Sequence, residues 1–260
     1  MKIKILLLWF FVSNSLIAQP KGLVYYGYIE ALANGNSKGP DYNAYMVFNK
    51  EQSYYVTAKD SLEKAEKINE QKTYLNDGGG GSIHNGMKSS SQGDQVVSHT
   101  KKNTMWSNFL YLKQVYVKES IPKINWKIEK DTKKIGTYIC KKATTVFGGR
   151  HYTAWYCPDI AVRFGPWKLN GLPGLIMEAY DTNKFVYWYF KSIEYPSKNK
   201  ENIKYIKTSR ENTYITNEGF KNFRKNEQLK AKEKAIIIQK EFPDIIFVPP
   251  TLSQMFLEFE

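Results

Sequence analysis

The chain has 260 residues, a formal net charge of +13 and 15% aromatic residues. This length suits one large domain or two small ones. The lysines recur along the chain without a nucleic-acid-binding motif, so we interpret the charge as a solvated basic surface and expect no nucleic-acid partner. No apolar stretch reaches the roughly 20 residues that cross a bilayer, so we expect no transmembrane span in the mature chain.

The first residues have the pattern of a secretory signal peptide. Lys2 and Lys4 precede an apolar run at residues 5–12, and Ala18 is a small residue near the end of the segment. This order of basic, apolar and small residues predicts a signal peptide over residues 1–18. We therefore expect an exported protein, periplasmic or secreted, whose single β-rich domain occupies residues 19–260.

Strand signals begin shortly after the predicted cleavage site. Residues 23–29 (LVYYGYI) are rich in aromatic and β-branched side chains, which predicts a strand. Residues 42–48 and 53–57 have the same character on either side of a short polar turn, which predicts a hairpin. Residues 76–94 contain four consecutive glycines and several serines, so we predict a flexible insertion there.

Two strand-like segments flank Gly148 and Gly149, and they contain the only two cysteines, Cys140 and Cys157. Two consecutive glycines suit a two-residue primed turn, which pairs the residues on either side of it. Counting residue pairs outward from the turn places Cys140 directly opposite Cys157. The Cα atoms of paired residues are about 4.5–5.5 Å apart, which lies within the range for a disulfide. Because export permits oxidation, we predict a cross-strand disulfide between them.

Strands also dominate the second half of the chain. Further strands are predicted at residues 105–112, 114–118, 124–129, 175–180 and 185–193, with a turn at 130–133. Residues 216–240 are rich in lysine with sparse apolar side chains, which predicts a polar surface helix capped near Asn217. These elements predict a mainly β (α+β) fold, a strongly curved antiparallel sheet or open half-barrel with a C-terminal surface helix.

Catalytic and cofactor motifs are absent from the sequence, so we predict no catalytic residues, no cofactor and no metal site. A metal site needs three or four converging ligands, and the chain has only 3 histidines. We lean towards a protein that is not an enzyme. The alternative is a hydrolase-like enzyme with a cleft that uses His151, Glu178 or Asp181.

Residues 165–181 (GPWKLNGLPGLIMEAYD) form a turn-rich loop that runs into an apolar strand. Pro173 and Gly174 suit the two central positions of a type II turn, and Gly171 adds a further bend. Trp167 lies on this loop, either as a plug at the end of the sheet or as the exposed lip of a binding site.

This loop resembles the signature of the GLPGLI family of exported bacterial proteins, which is named after the hexapeptide at residues 171–176. The similarity continues upstream, in order, at residues 122–128 (PKINWKI), 135–143 (IGTYICKKA) and 149–158 (GRHYTAWYCP). The resemblance implies export by Gram-negative bacteria, and it assigns no catalytic residue.

The main function hypothesis is an exported, non-catalytic β-domain that binds an apolar ligand or an outer-membrane or envelope protein. It rests on the aromatic content and the turn-rich loop, because exposed Trp and Leu side chains indicate a surface that a partner covers. The candidate binding residues are Trp155, Trp167, Leu172, Pro173 and Trp188. A third hypothesis is a basic, surface-adhesive module that uses the lysine-rich helix.

Overall fold

The structure is a computed structural model that describes residues 20–32, 39, 41–57, 72–75, 81–84, 93–111, 113–200, 203, 214–244 and 246–260. The predicted signal peptide lies outside these residues, and so does most of the predicted insertion at 76–94. The signal peptide, the insertion and the single-domain boundary therefore stay predictions.

Among the described residues, eleven strands form one antiparallel sheet and two strands form a separate pair. In chain order the strands are β1 Gly22–Glu30, β2 Asp41–Phe48, β3 Gln52–Thr57, β4 Lys72–Leu75, β5 Gly81–His84, β6 Asp94–His99, β7 Thr104–Tyr111, β8 Lys113–Glu119, β9 Lys127–Ile135, β10 Tyr138–Phe147, β11 Arg150–Cys157, β12 Leu175–Asp181 and β13 Val186–Glu194. The helices are α1 Asn217–Glu241 and α2 Leu252–Met255. Across the large sheet the strand order is β8-β7-β6-β3-β2-β1-β13-β12-β11-β10-β9, and β4 pairs with β5.

Among the described residues, β8 and β9 are the outermost strands of the large sheet, which does not close. Ile215 adds a single parallel bridge to β8. The predicted mainly β fold, with an antiparallel sheet and a C-terminal helix, is confirmed. The expected strong curvature or half-barrel is wrong, because the sheet is open and not strongly curled. The pairing of β1 with β13 joins the two halves of the chain in one sheet, and the pairing of β3 with β6 joins the first three strands to β6, β7 and β8.

The central strands are covered on both faces. Leu23 and Val24 are neighbours whose side chains point to opposite faces, and they are 1% and 0% exposed. The face that carries Val24 and Trp188, which we call the inner face, holds the larger apolar cluster. A smaller cluster that includes Leu23 and Val47 covers the other face. This double burial explains the nearly continuous apolar sequence of β1 and β2.

The predicted glycine hairpin is confirmed, but the predicted disulfide is wrong. Gly148 and Gly149 have φ values of +56° and +85°, as a primed turn requires, and the strands pair in the predicted register. The β10–β11 ladder ends at Lys141 and Tyr156, one pair before the cysteines. Cys140 keeps its pairing with Lys133 of β9 and Cys157 its pairing with Leu175 of β12, but the two cysteines do not pair with each other, and both thiols are free and buried. A hydrogen bond from Cys140 lowers the pKa of Cys157 to about 7.

Two local predictions are corrected by the backbone. Strand β9 runs through the turn predicted at residues 130–133, and the chain turns instead at Gly136, whose φ is +57°. The predicted type II turn is wrong, because the positive φ, +96°, belongs to Gly171 and not to Gly174. The N–H of Gly174 donates to the Leu172 carbonyl at 2.9 Å, so the chain makes a tighter three-residue turn about Pro173.

The predicted helix is α1, and it begins at Asn217 as expected. Thr216 is its N-cap, and its hydroxyl accepts a hydrogen bond from the N–H of Gly219 at 3.1 Å. Phe220 packs against the apolar side chains of β8, while most later side chains of the helix are exposed. The chain then returns to the inner face of the sheet through residues 251–260, which we call the C-terminal strap.

Candidate functional site

A cavity of about 130 Å³ lies on the inner face of the sheet. Strands β1, β3, β6 and β7 form its floor, and three separate segments form its walls: the 165–181 loop, the start of α1 and the C-terminal strap. Its lining residues are Tyr28, Glu30, Tyr55, Thr57, Asp94, Gln95, Val96, Ser107, Asn108, Trp167, Lys168, Trp188, Phe220 and residues 255–258. This volume is slightly below the about 150 Å³ of a cavity that holds benzene, so the cavity has room for a small group or for part of a larger molecule.

Three stacked aromatic rings form one side of the cavity. The ring centroids of Tyr28 and Trp188 are 5.2 Å apart and those of Trp188 and Trp167 are 5.9 Å apart, with interplanar angles of 11° in both pairs. The indole N–H of Trp188 donates to the Tyr55 hydroxyl at 2.8 Å. Trp167 reaches the stack because its backbone adopts a positive φ of +54°. Trp188 is fully buried and held between the rings of Tyr28 and Trp167, which makes this wall rigid.

Two half-buried carboxylates, Glu30 and Asp94, line the cavity, and besides burial the negative charges of both raise the pKa of Tyr28. The Tyr28 hydroxyl donates to Glu30 Oε2 at 2.8 Å. Burial, and then the negative charge of Glu30, raise the pKa of Tyr28 well above its ordinary value. The phenol therefore stays protonated and acts as a donor, while the carboxylates act as acceptors. Aromatic walls with a few hydrogen-bonding groups are typical of sites for small polar molecules.

A buried ion cluster around Lys168 forms another part of the cavity wall. The Lys168 ammonium is 2.5 Å from Glu119 Oε1 and also contacts Glu258 of the strap. Burial by itself lowers the pKa of Lys168, but the carboxylates of Glu258 and Glu119 outweigh it and raise the pKa above its ordinary value. Lys168 therefore remains a cation at neutral pH and anchors the strap beside the cavity.

The structure brings together two of the five predicted binding residues, Trp167 and Trp188, which both line the cavity. Leu172 is 1% exposed and packs in the core, whereas Pro173 is exposed. Trp155 is half-buried, and the ammonium of Lys133 lies 5.3 Å from its ring centre. Ligand binding by these residues stays a prediction.

The three residues of the hydrolase-like alternative do not converge. Glu178 and Asp181 are three positions apart on β12, so their side chains point to opposite faces. Glu178 is bound by Lys133 at 2.8 Å, and Asp181 is bound by Arg150 at 3.3 Å. His151 is exposed on β11. Both carboxylates therefore hold cations in place, and these three residues do not form one cleft.

Sequence reasoning missed the polar residues of the cavity. Glu30 and Asp94 end or begin their strands, where carboxylates are usually solvated, and only the sheet register brings both of them to the cavity. Lys168 had a usable signal, because it follows Trp167 in a loop dense with apolar residues and turns.

No group of three or more His, Cys, Asp or Glu side chains in the described part of the chain is arranged to hold a metal ion. Among the helices of the described residues, none is both long and apolar enough to cross a membrane.

A family model described as "N-glycanase peptide, N-terminal domain" (PNGase F-II) matches residues 32–218, which is more than half of the chain. No curated protein matches. The solved structure titled "Structure of PNGF-II in P21 space group" is 16% identical with a TM-score of 0.48, and the match covers 79% of this chain and 33% of that chain. "Structure of PNGF-II in C2 space group" is 18% identical with a TM-score of 0.44, and the match covers 76% of this chain and 31% of that chain. This chain thus spans about a third of the length of the PNGF-II chains it matches.

The family match corrects two predictions. The resemblance to the GLPGLI family is wrong as an assignment, because the matched range contains the whole of residues 165–181. The main hypothesis of a non-catalytic carrier for an apolar ligand or an envelope protein is overturned as well, and the hydrolase alternative fits the match better. The chain belongs to the family of N-glycanase N-terminal domains.

Proposed function

We propose that this chain acts in the hydrolysis of glycopeptides, as a domain of the N-glycanase type. The observation that carries the proposal is the family match over residues 32–218. That range contains all the strands of the large sheet except β1, and it includes the cavity residues Tyr55, Asp94, Trp167 and Trp188.

Within this function, the cavity holds part of a sugar of the glycopeptide, because its volume of about 130 Å³ is too small for a whole sugar with its substituents. A sugar ring presents hydroxyl groups at its rim and C–H groups on its faces. Glu30 and Asp94 supply acceptors for hydroxyl hydrogens, and the Trp167 side of the cavity supplies apolar surface. The carboxylates are half-buried, so their hydrogen bonds to a ligand are less exposed to competing water than those of a surface carboxylate.

The experiment compares a glycopeptide with the same peptide lacking its glycan. The whole chain is mixed with each peptide, binding is followed by tryptophan fluorescence, and release of free glycan is measured by mass spectrometry. We expect binding of the glycopeptide only, with a change in the emission of the stacked tryptophans. Equal binding of the two peptides, together with no release of glycan, contradicts the proposal.

Two matched variants connect the result to the cavity. Glu30→Gln keeps the shape of the side chain but removes the charged acceptor, and it should weaken glycopeptide binding about tenfold, the effect of one charge-assisted hydrogen bond. Glu194→Gln makes the same change at an exposed position of β13, outside the cavity, and should leave binding unchanged. If the two variants weaken binding equally, the glycopeptide does not bind in the cavity.

We also propose that the protein is exported. The support is the order of basic, apolar and small residues over residues 1–18, which lie outside the described residues. Sequencing the N-terminus of the mature protein tests this, with a start near Gln19 as the expected result and a retained Met1 as the contrary one. An envelope partner stays a prediction.

A further inference from the structure

The C-terminal strap lies in a groove whose main anchor is Arg150. Its guanidinium donates to the main-chain carbonyls of Leu257 at 3.1 Å and Phe256 at 3.0 Å, and also to that of Ser253. Arg150 is 7% exposed and is held in place by Asp181. Because these bonds go to main-chain atoms, they require a peptide of suitable shape and no particular side chains.

One side chain of the strap is recognised by charge. The carboxylate of Glu258 is buried against Lys168, and Arg224 Nη1 lies 3.9 Å from Glu258 Oε2. Arg224 is 2% exposed, and its Nη1 has no hydrogen-bond partner in the described part of the chain. The site therefore offers a buried N–H donor, at Arg224 Nη1, that Glu258 does not use. A carboxylate placed closer to Arg224 could accept a hydrogen bond from it.

The floor of the groove suits a peptide main chain. The N–H of Phe259 donates to the Gly148 carbonyl at 3.0 Å, so the strap continues the hydrogen bonding of the β10–β11 turn. A Cβ atom built on Gly149 would lie 2.4 Å from the ring of Phe259, which explains the second glycine of the turn. The Phe256 ring packs against Phe223 at 6.3 Å between centroids.

The connection between α1 and the strap is exposed. Ile246 and Val248 are 87% and 79% exposed, and Pro249 and Pro250 follow directly. Neither residue packs into the sheet, so the strap is tied to the rest of the chain by a surface segment. A segment tethered in this way competes with outside ligands through its effective concentration, which is on the order of millimolar for a short tether.

We propose that this groove is a binding site for an acidic peptide segment, and that the C-terminal strap occupies it in cis. An outside peptide fits when it places a Glu or Asp side chain at Lys168 and Arg224 while its main chain passes Arg150. Charge complementarity selects this class of ligand, because the two cations of the groove are buried and face the position of a carboxylate. The inference goes beyond the proposed function and does not depend on it.

The experiment uses the full chain with a protease recognition sequence placed across the exposed segment at residues 246–248. The chain is folded first and cut afterwards, and the probe is a fluorescent synthetic peptide with the sequence of residues 251–260 (TLSQMFLEFE). We expect the cut chain to exchange its strap for the probe, with an affinity about 100-fold higher than that of the uncut chain, because cutting removes the tethered competitor. A probe with Glu258→Gln should bind about tenfold more weakly.

Three outcomes overturn the proposal: the cut chain unfolds, it fails to bind the probe, or it binds the Glu258→Gln probe as tightly as the original. A second variant tests the groove without cutting. In the uncut Glu258→Gln chain the strap is weakened, so the original probe should bind more tightly than it does to the unmodified chain. Equal affinity for both uncut chains also contradicts the proposal. Glycan release is a separate measurement, so failure of the proposed function is distinguished from failure of this inference.

Discussion

Replacing Lys168 by methionine tests whether the buried ion cluster is a structural element of the fold. The Lys168 side chain is 2% exposed, and those of Glu119 and Glu258 are 8% and 10% exposed. Methionine keeps most of the length and apolar stem of lysine but removes the ammonium. Both carboxylates then remain buried beside a neutral side chain.

The expected cost follows from the unpaired charge. Removing one partner of a buried ion pair destabilises a protein by about 3–5 kcal/mol. At roughly 2–4 °C per kcal/mol for a domain of this size, Lys168→Met should lower the melting temperature by about 10 °C.

The assay is thermal unfolding followed by circular dichroism at neutral pH. Lys142→Met is the matched control, because Lys142 is paired with Glu129 at 2.9 Å but both side chains are partly exposed. We expect this control to melt close to the unmodified chain, since exposed ion pairs contribute little. If Lys168→Met melts within about 2 °C of the unmodified chain, the cost assigned to an unpaired buried charge is refuted.

The pH dependence gives a second readout of the same cluster. The pKa of Lys168 is raised in the folded chain above its ordinary value of 10.5. The ammonium therefore stabilises the fold fully below that ordinary value, and its contribution is lost as the pH rises through the folded-state pKa. The difference in unfolding free energy between the unmodified chain and Lys168→Met should be constant at neutral pH and should shrink above about pH 10.5. A difference that grows with pH contradicts the assignment.

Two further predictions concern the cysteines and the turn at Gly174. Alkylation of the denatured, unreduced chain should label both Cys140 and Cys157, because the thiols are free, and a fraction labelled only after reduction would contradict this. Gly174→Ala should destabilise the chain by about 1–3 kcal/mol, because the new Cβ would lie 2.3 Å from the Cys157 carbonyl oxygen. Gly219→Ala, near the start of α1, is the control: its new Cβ would lie 3.3 Å from the Ile215 Cβ, a much milder contact, so it should destabilise the chain clearly less than Gly174→Ala in the same melting assay.

Local parts of this fold are predictable from the sequence because local residues determine them. Gly148 and Gly149 specify a primed turn, and the register of the whole β10–β11 hairpin follows from it. Strand β9 shows the limit of the same reasoning. It is an edge strand with most side chains exposed, so its sequence, KIEKDTKKI, has no apolar alternation and its middle resembles a turn.

The candidate site is harder to predict, because its residues come from distant parts of the chain. Tyr28 and Trp188 stack only because β1 pairs with β13, and Asp94 joins them only because β3 pairs with β6. The apolar pattern within one strand does not identify the strand with which it pairs, so these contacts cannot be read from the sequence. The disulfide prediction failed although the hairpin register was right, because the β10–β11 ladder ends at Lys141 and Tyr156, one pair before the two cysteines, and the turn residues give no sign of where a ladder ends.

Two neighbouring residues of the 165–181 loop explain why its composition is unusual. The positive φ of Trp167 turns the backbone so that its indole enters the aromatic stack, while the next side chain, Lys168, enters the ion cluster under the strap. This backbone conformation is strained for a residue other than glycine, and the packing of Trp167 between Trp188 and Phe147 offsets the strain. The loop therefore forms the shared wall of the cavity and the strap groove, and this position explains its dense mixture of turns, aromatic rings and one buried cation.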